Sequence, residues 1–93
     1  MSKKNWCIVN LHAGTQSLSL KSKLIEKLMR IPDCELFITS YAGHGTELAK
    51  EAIAQNVERL IVAGGDGTIN EIGKVLLGTK IALGIIPLGS GNG

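Results

Sequence analysis

Four short apolar runs alternate with three stretches of helical periodicity, and that alternation constrains the fold more than any other feature of the chain. Asn5–Leu11, built on Trp-Cys-Ile-Val, reads as a buried strand. Ser19–Arg30 places Leu20, Leu24, Ile25, Leu28 and Met29 at amphipathic spacing, and Pro32-Asp33 closes that helix. Cys34–Tyr41 is rich in β-formers and reads as a second strand, followed by a loop at Gly43-His44-Gly45. Thr46–Asn56 is a helix with Thr46 as candidate N-cap and Leu48, Ala49, Ala52 and Ile53 on one face. Arg59–Ala63 is a strand, Thr68–Leu77 a helix with Gly78 at its C-cap, and Ile81–Ile86 the last strand. Strict alternation implies right-handed crossovers and an α/β fold: three layers, a mostly parallel sheet with helices on both faces, of the Rossmann-like kind. The loops at His12–Ser17, Ala42–Gly45, Gly64–Gly67 and Leu88–Gly93 then share one edge of the sheet, where open α/β folds bind ligands.

Composition narrows the function classes. The chain has 93 residues, 44% apolar and 19% charged, which suits one small globular domain rather than a disordered segment. The net charge is +2 with the basic residues spread along the chain, and Trp6, Phe37 and Tyr41 are the only aromatics. No basic patch interleaved with base-stacking aromatics follows from that, so nucleic acid is not an expected partner. Cys7 and Cys34 lie in strand-like runs, without metal-ligand spacing. Neither a signal-peptide core nor a stretch able to span a bilayer occurs in the sequence, and a cytoplasmic location is expected.

Leu60-Ile-Val-Ala-Gly-Gly-Asp-Gly-Thr-Ile-Asn70 carries most of the functional information. A strand that turns sharply into a helix leaves unpaired N–H groups and the positive end of the helix dipole at the turn, a setting for phosphate. Glycines remove the Cβ atoms that would hold a phosphate away. Asp66 is out of place in a passive anion site, because a carboxylate repels phosphate unless it holds a metal ion or accepts a proton from an attacking hydroxyl. Gly64-Gly65-Asp66-Gly67 also reads as an ordinary tight turn in which Asp66 caps the helix. Nine of the 12 glycines lie between Gly64 and Gly93, so the last two loops are the expected phosphate cradle. No Gly-Lys-Ser/Thr occurs, so a Walker lysine is not part of it.

Gly64-Gly65-Asp66-Gly67-Thr68-Ile69-Asn70-Glu71, followed by Leu83-Gly84-Ile85-Ile86-Pro87-Leu88-Gly89-Ser90-Gly91-Asn92, resembles the catalytic domain of diacylglycerol kinase-type lipid kinases, a family that includes sphingosine and ceramide kinases. Thr39 and the segment Gly43-His44-Gly45-Thr46-Glu47-Leu48-Ala49 are similar to further family features, and the resemblance runs from Ile8 to Asn92. Asn10 and Gly14 match the first loop, but Leu11 stands where the family has proline. The resemblance implies a two-domain enzyme. Residues 1–93 would form its N-terminal nucleotide-binding domain, and an absent β-rich domain would complete the lipid pocket and the Mg²⁺ site. It implies that Gly64, Gly65, Asp66, Gly67, Thr68, Ile69 and Asn70 wrap the phosphates of ATP, with Asn10, Thr39, Gly89 and Ser90 around the site. Asp66 would be the catalytic or metal-organising carboxylate, with Asn70, Glu71 and Asn92 as further nucleotide contacts. His44, a lone histidine between glycines, is expected to be a loop hydrogen-bonder.

The expected function is therefore ATP-dependent phosphorylation of a lipid hydroxyl, diacylglycerol- or sphingosine-like, with transient contact between the parent enzyme and a membrane surface. The chain ends inside a glycine loop, which favours a piece of a longer protein over a complete minimal domain. Alone it is expected to be inactive and to self-associate through an uncovered apolar face. Two alternatives stand beside this reading: an NAD kinase-like enzyme, which shares Gly-Gly-Asp-Gly-Thr, and a non-catalytic nucleotide-binding module. A dinucleotide fingerprint fits poorly because Asn70 occupies its final small-residue position.

Overall fold

The computed structural model describes residues 4–12 and 18–88. Its elements run β1 (Asn5–Val9), α1 (Leu18–Leu28), β2 (Cys34–Ile38), α2 (His44–Ala54), β3 (Arg59–Gly64), α3 (Asp66–Val75) and β4 (Ala82–Pro87). The four strands form one parallel sheet in the order β2-β1-β3-β4. The chain thus starts in the middle of the sheet, adds a strand on one side, then crosses β1 to build the other side. That reversal makes the gap between the C-terminal ends of β1 and β3 the topological switch point.

Register assigns the side chains to two cores. Trp6 pairs with Leu60 and Ile8 with Val62, and these four face α2 and α3, where Ala49, Ala52, Ile72 and Leu76 complete a buried cluster. Cys7, Val9 and Ala63 point the opposite way and pack with Leu28 and Leu88, joined by Leu24 and Leu36. One helix therefore covers one face and two helices the other, the expected three-layer arrangement. β1 is central and its Trp6–Val9 segment is buried, so a continuous apolar run rather than an alternating one is what its position requires.

Several boundaries differ from the periodicity, each for a tertiary reason. β1 and β2 end at Val9 and Ile38 rather than at Leu11 and Tyr41, although the ladder is extended by Asn10 N–H to Ala63 O (2.8 Å) and Thr39 N–H to Val9 O (2.9 Å). His44 and Gly45 are the first residues of α2, not a loop, and the N-cap is Gly43 at φ +88° rather than Thr46. Only glycine adopts that conformation without strain. α3 begins at Asp66, two residues before the expected Thr68, and Gly65 alone links it to β3. It ends at Val75, with Gly78 at φ +80° reversing the chain just beyond.

Helix α1 also differs from its pattern. Leu20 and Met29, expected on the apolar face, are exposed, whereas Lys21 is buried at 9% relative exposure. Its Nζ donates to the carbonyl of Leu11, so the ammonium caps the end of the first strand while its methylene stem packs inside.

Candidate functional site

The site lies at the switch point and is built from three elements. Asn10, just past β1, makes three ties. Its backbone N–H bonds to Ala63 O, its Nδ2 donates to Thr68 Oγ1 (3.2 Å), and its Oδ1 accepts the His12 N–H (3.0 Å). One side chain thus joins the β1 loop to the first turn of α3. From the second side come Thr39, Tyr41, Ala42 and Gly43, followed by Gly45 and Thr46 of α2. From α3 come Gly67, Thr68, Glu71 and Ile72. With Asn10 they enclose a cavity of about 270 Å³.

Glycines bring these parts together. A Cβ on Gly45 would lie 3.2 Å from Ile72 Cδ1 and 3.7 Å from Thr68 Cγ2, so α2 and α3 approach each other across a hydrogen atom. A Cβ on Gly64 would lie 3.3 Å from Thr68 Cβ and 3.5 Å from Asn10 Cβ. Gly67 differs: no heavy atom of the described residues comes within 4 Å of the position its Cβ would take, and the residue lines the cavity.

Two helix N-termini therefore meet on one cavity, and neither carries a side-chain cap. The N-cap residues are Gly43 and Gly65, which have no side chain to offer. The first-turn N–H groups of a helix have no intrahelical acceptor, and the dipole adds partial positive charge. Gly45 and Thr46 on one side, and Gly67 and Thr68 on the other, present such groups along the cavity. The reading of Asp66 as a side-chain cap does not hold, because Asp66 is the first helical residue, not the cap, and its carboxylate is exposed with no hydrogen bond among the described residues. It lies on α3 next to Gly67, outside the cavity lining.

Of the other residues expected at the site, Asn10, Thr39, Gly67, Thr68 and Glu71 line the cavity. Gly64 is buried beneath Thr68 and Asn10, and Gly65 is the N-cap. Ile69 packs against the core on the α2–α3 face, and Asn70 is exposed outside the lining. Gly89, Ser90 and Asn92 lie outside the described residues; the chain enters that segment beside the site, since Leu88 N–H bonds to Gly64 O at 2.7 Å.

The sequence assigns no ligand-contact role to Tyr41, Ala42, Gly43, Gly45, Thr46 or Ile72; Thr46 is a candidate N-cap there, and the signals for the rest are the family-like Gly43–Thr46 segment and their position after β2 or in α3. Thr46 Oγ1 reaches Glu71 Oε2 at 3.5 Å, linking the two helices at the rim. Tyr41 stacks on His44 with ring centroids 4.4 Å apart and planes 8° from parallel. The Tyr41 hydroxyl donates to Glu47 Oε1, and that bond holds the phenol pKa above its usual 10.0. His44 Nδ1 accepts the Ser40 N–H at 2.9 Å, so the histidine is a loop hydrogen-bonder as expected. Among the described residues no group of three His, Cys, Asp or Glu side chains could hold a metal ion.

Residues 4–93 match the family model described as the diacylglycerol kinase catalytic domain. The chain belongs to that family. It is 45% identical over 62 residues to a Klebsiella pneumoniae protein named "Probable lipid kinase YegS-like", covering 64% of this chain and 21% of that one. Against a Bacillus subtilis diacylglycerol kinase it is 46% identical over 56 residues, 58% of this chain and 18% of the relative. A crystal structure of a diacylglycerol kinase from Bacillus anthracis superposes with a TM-score of 0.76 at 33% identity, covering 94% of this chain and 34% of that one. The chain thus spans about a fifth of these curated relatives and a third of the solved structure.

Proposed function

We propose that this member of the diacylglycerol kinase catalytic domain family is the ATP-binding portion of a lipid kinase. The enzyme would transfer the γ-phosphate of ATP to a hydroxyl of a diacylglycerol- or sphingosine-like lipid. The observation that carries the reading is the meeting of two uncapped helix N-termini on one cavity at the switch point. Such a cradle offers several fixed donors to a polyanion and costs no reorganisation when the ligand arrives.

Phosphoryl transfer asks for positioning and charge neutralisation more than for covalent catalysis. In this reading the amides of Gly67 and Thr68 hold phosphate oxygens, and Asn10 keeps Thr68 in place. Asp66 stands beside them, its carboxylate without a partner among the described residues, able to take the proton of the lipid hydroxyl. Mg²⁺, when bound, neutralises charge on the phosphates. The residues present fit it, because Mg²⁺ is commonly held by one or two carboxylates together with phosphate oxygens rather than by an all-protein cage. Asp66 beside the cavity and Glu71 in its lining are carboxylates this chain offers, and further acidic groups would come from outside it. No helix among the described residues is long and apolar enough to cross a membrane, and the proposed cytoplasmic enzyme would meet lipid at the membrane surface.

Titration of the ¹⁵N-labelled chain with ATP and Mg²⁺ tests the reading. The amides of Gly65–Thr68 and Gly43–Thr46 should shift together and saturate. Absence of shifts at millimolar ATP would sink it. The 93 residues alone should not phosphorylate lipid, and measurable lipid turnover by them would overturn the assignment of the lipid site to residues outside this chain.

A further inference from the structure

We propose that Tyr41 is the platform on which the nucleobase stacks, and so the residue that makes this cradle a nucleotide site rather than a general polyphosphate site. The inference rests on the ATP-binding reading above and adds which part of the ligand lies where.

Tyr41 is 54% exposed, so core packing does not explain its orientation. The ring is nevertheless held at two points. His44 lies flat against one face at 4.4 Å, and the hydroxyl is tied to Glu47. His44 is itself fixed: its Nδ1 takes the Ser40 N–H and its backbone N–H bonds to Tyr41 O at 3.1 Å. A surface aromatic immobilised in this way has surrendered its rotamer freedom before any ligand arrives, which lowers the cost of stacking on it.

Its location is the second observation. Tyr41 borders both the 270 Å³ cavity and an adjoining one of about 230 Å³, which also involves Asn10, His12, Thr39 and Ala42. The phosphate donors on α3 belong to the first cavity only. A ligand with a polyanionic end at Gly67 and Thr68 and a flat apolar ring at Tyr41 uses the shared wall between them. Every nucleobase has a π-face, and a base stacks favourably on a single aromatic ring. An isolated pair of rings serves one base, not the successive bases of a strand.

Tyr41 is the only tyrosine in the chain, so its ring protons can be followed without ambiguity. Three forms are compared, the original chain, Tyr41→Phe and Tyr41→Ala, each titrated with ATP and with inorganic tripolyphosphate. ATP is expected to move the Tyr41 ring resonances upfield, and tripolyphosphate to move the α3 amides while leaving the ring unchanged. Tyr41→Ala should weaken ATP about tenfold, as one lost stacking contact implies, and leave tripolyphosphate affinity as it was. Tyr41→Phe keeps the face and should bind ATP within about twofold of the original, since only the exposed bond to Glu47 is lost. If ATP shifts the α3 amides while the ring does not respond, or if Tyr41→Ala binds ATP normally, the platform is refuted and the phosphate cradle stands. If neither ligand moves the α3 amides, both readings fall.

Discussion

Gly67→Ala separates stability from binding at a single atom. Gly67 is the second residue of α3 and does not have a positive φ, so its backbone conformation suits alanine. No heavy atom of the described residues lies within 4 Å of the added Cβ, so none of them must move. Alanine in place of a helical glycine then stabilises by about 0.5–1 kcal/mol, because the unfolded chain loses freedom that glycine would keep. In a domain of this size that raises the melting temperature by roughly 2–8 °C. Gly67 also lines the cavity, and in the proposed reading a methyl group there crowds a phosphate held by the first-turn amides. One hydrogen bond to a charged group is worth about 1.5–3 kcal/mol, so ATP affinity should fall roughly ten- to a hundredfold. Calorimetric melting and ATP titration on one protein sample read both effects. A stabilised variant that binds ATP normally would show that phosphate does not sit at the start of α3. A destabilised variant would refute the claim that this position is open.

The other three predictions address packing, ionisation and association. Gly64→Ala should lower stability by about 1–3 kcal/mol in chemical denaturation, because its Cβ overpacks against the stiff Thr68 side chain and displaces the Asn10–Thr68 bond; an unchanged midpoint would contradict the close approach. Burial pushes the Cys7 thiol from 9.0 up to about 12, with Cys34 adding to the effect, so the folded chain keeps a proton that the unfolded chain loses. That contribution is complete below pH 9 and is lost toward pH 12, at up to about 1.4 kcal/mol per pH unit, and Cys7→Ala should flatten this alkaline decline relative to the parent. Ile85 on edge strand β4 is 51% exposed, with Leu83 beside it on the same face. Sedimentation velocity should show concentration-dependent association that Ile85→Lys abolishes, and a strictly monomeric parent would remove the case for an adhesive β4 face.

The order and type of all seven elements are legible in the sequence because each carries its own period, and the parallel sheet follows from their alternation. Element ends are less legible, since partners distant in sequence set them. Gly43-His44-Gly45 reads locally as loop because glycine is a poor helix former, yet helix α2 starts there, where Gly45 lets it reach Ile72 and Thr68 of α3. Asp66-Gly67 reads as turn for the same reason, and the packing of Thr68 over Gly64 carries the helix back to Asp66. Lys21 looks like part of a solvated charged face, and only the fold brings the Leu11 carbonyl to its ammonium. Asn10 was legible as a site residue, but its three-way tie between β1, β3 and α3 was not, because two of its partners are more than fifty residues away.

The three glycines of the β3–α3 turn answer three different demands, which explains why so short a motif carries so much information. Gly64 is required by packing, because a side chain there would separate β3 and the Asn10 loop from α3. Gly65 has φ −83° and ψ 175°, an extended conformation that any residue adopts, so its backbone does not call for glycine. Serine, threonine, aspartate or asparagine at that N-cap would stabilise the helix by turning a side-chain oxygen onto its free amides. Glycine forgoes that gain and leaves the amides for something else. Gly67 forgoes helix stability in the same way and lines the cavity without a side chain. A turn selected for folding alone would fill positions 65 and 67 with better residues. The chain keeps glycine at both, at the N-cap and in the cavity lining, on either side of a carboxylate with no partner among the described residues.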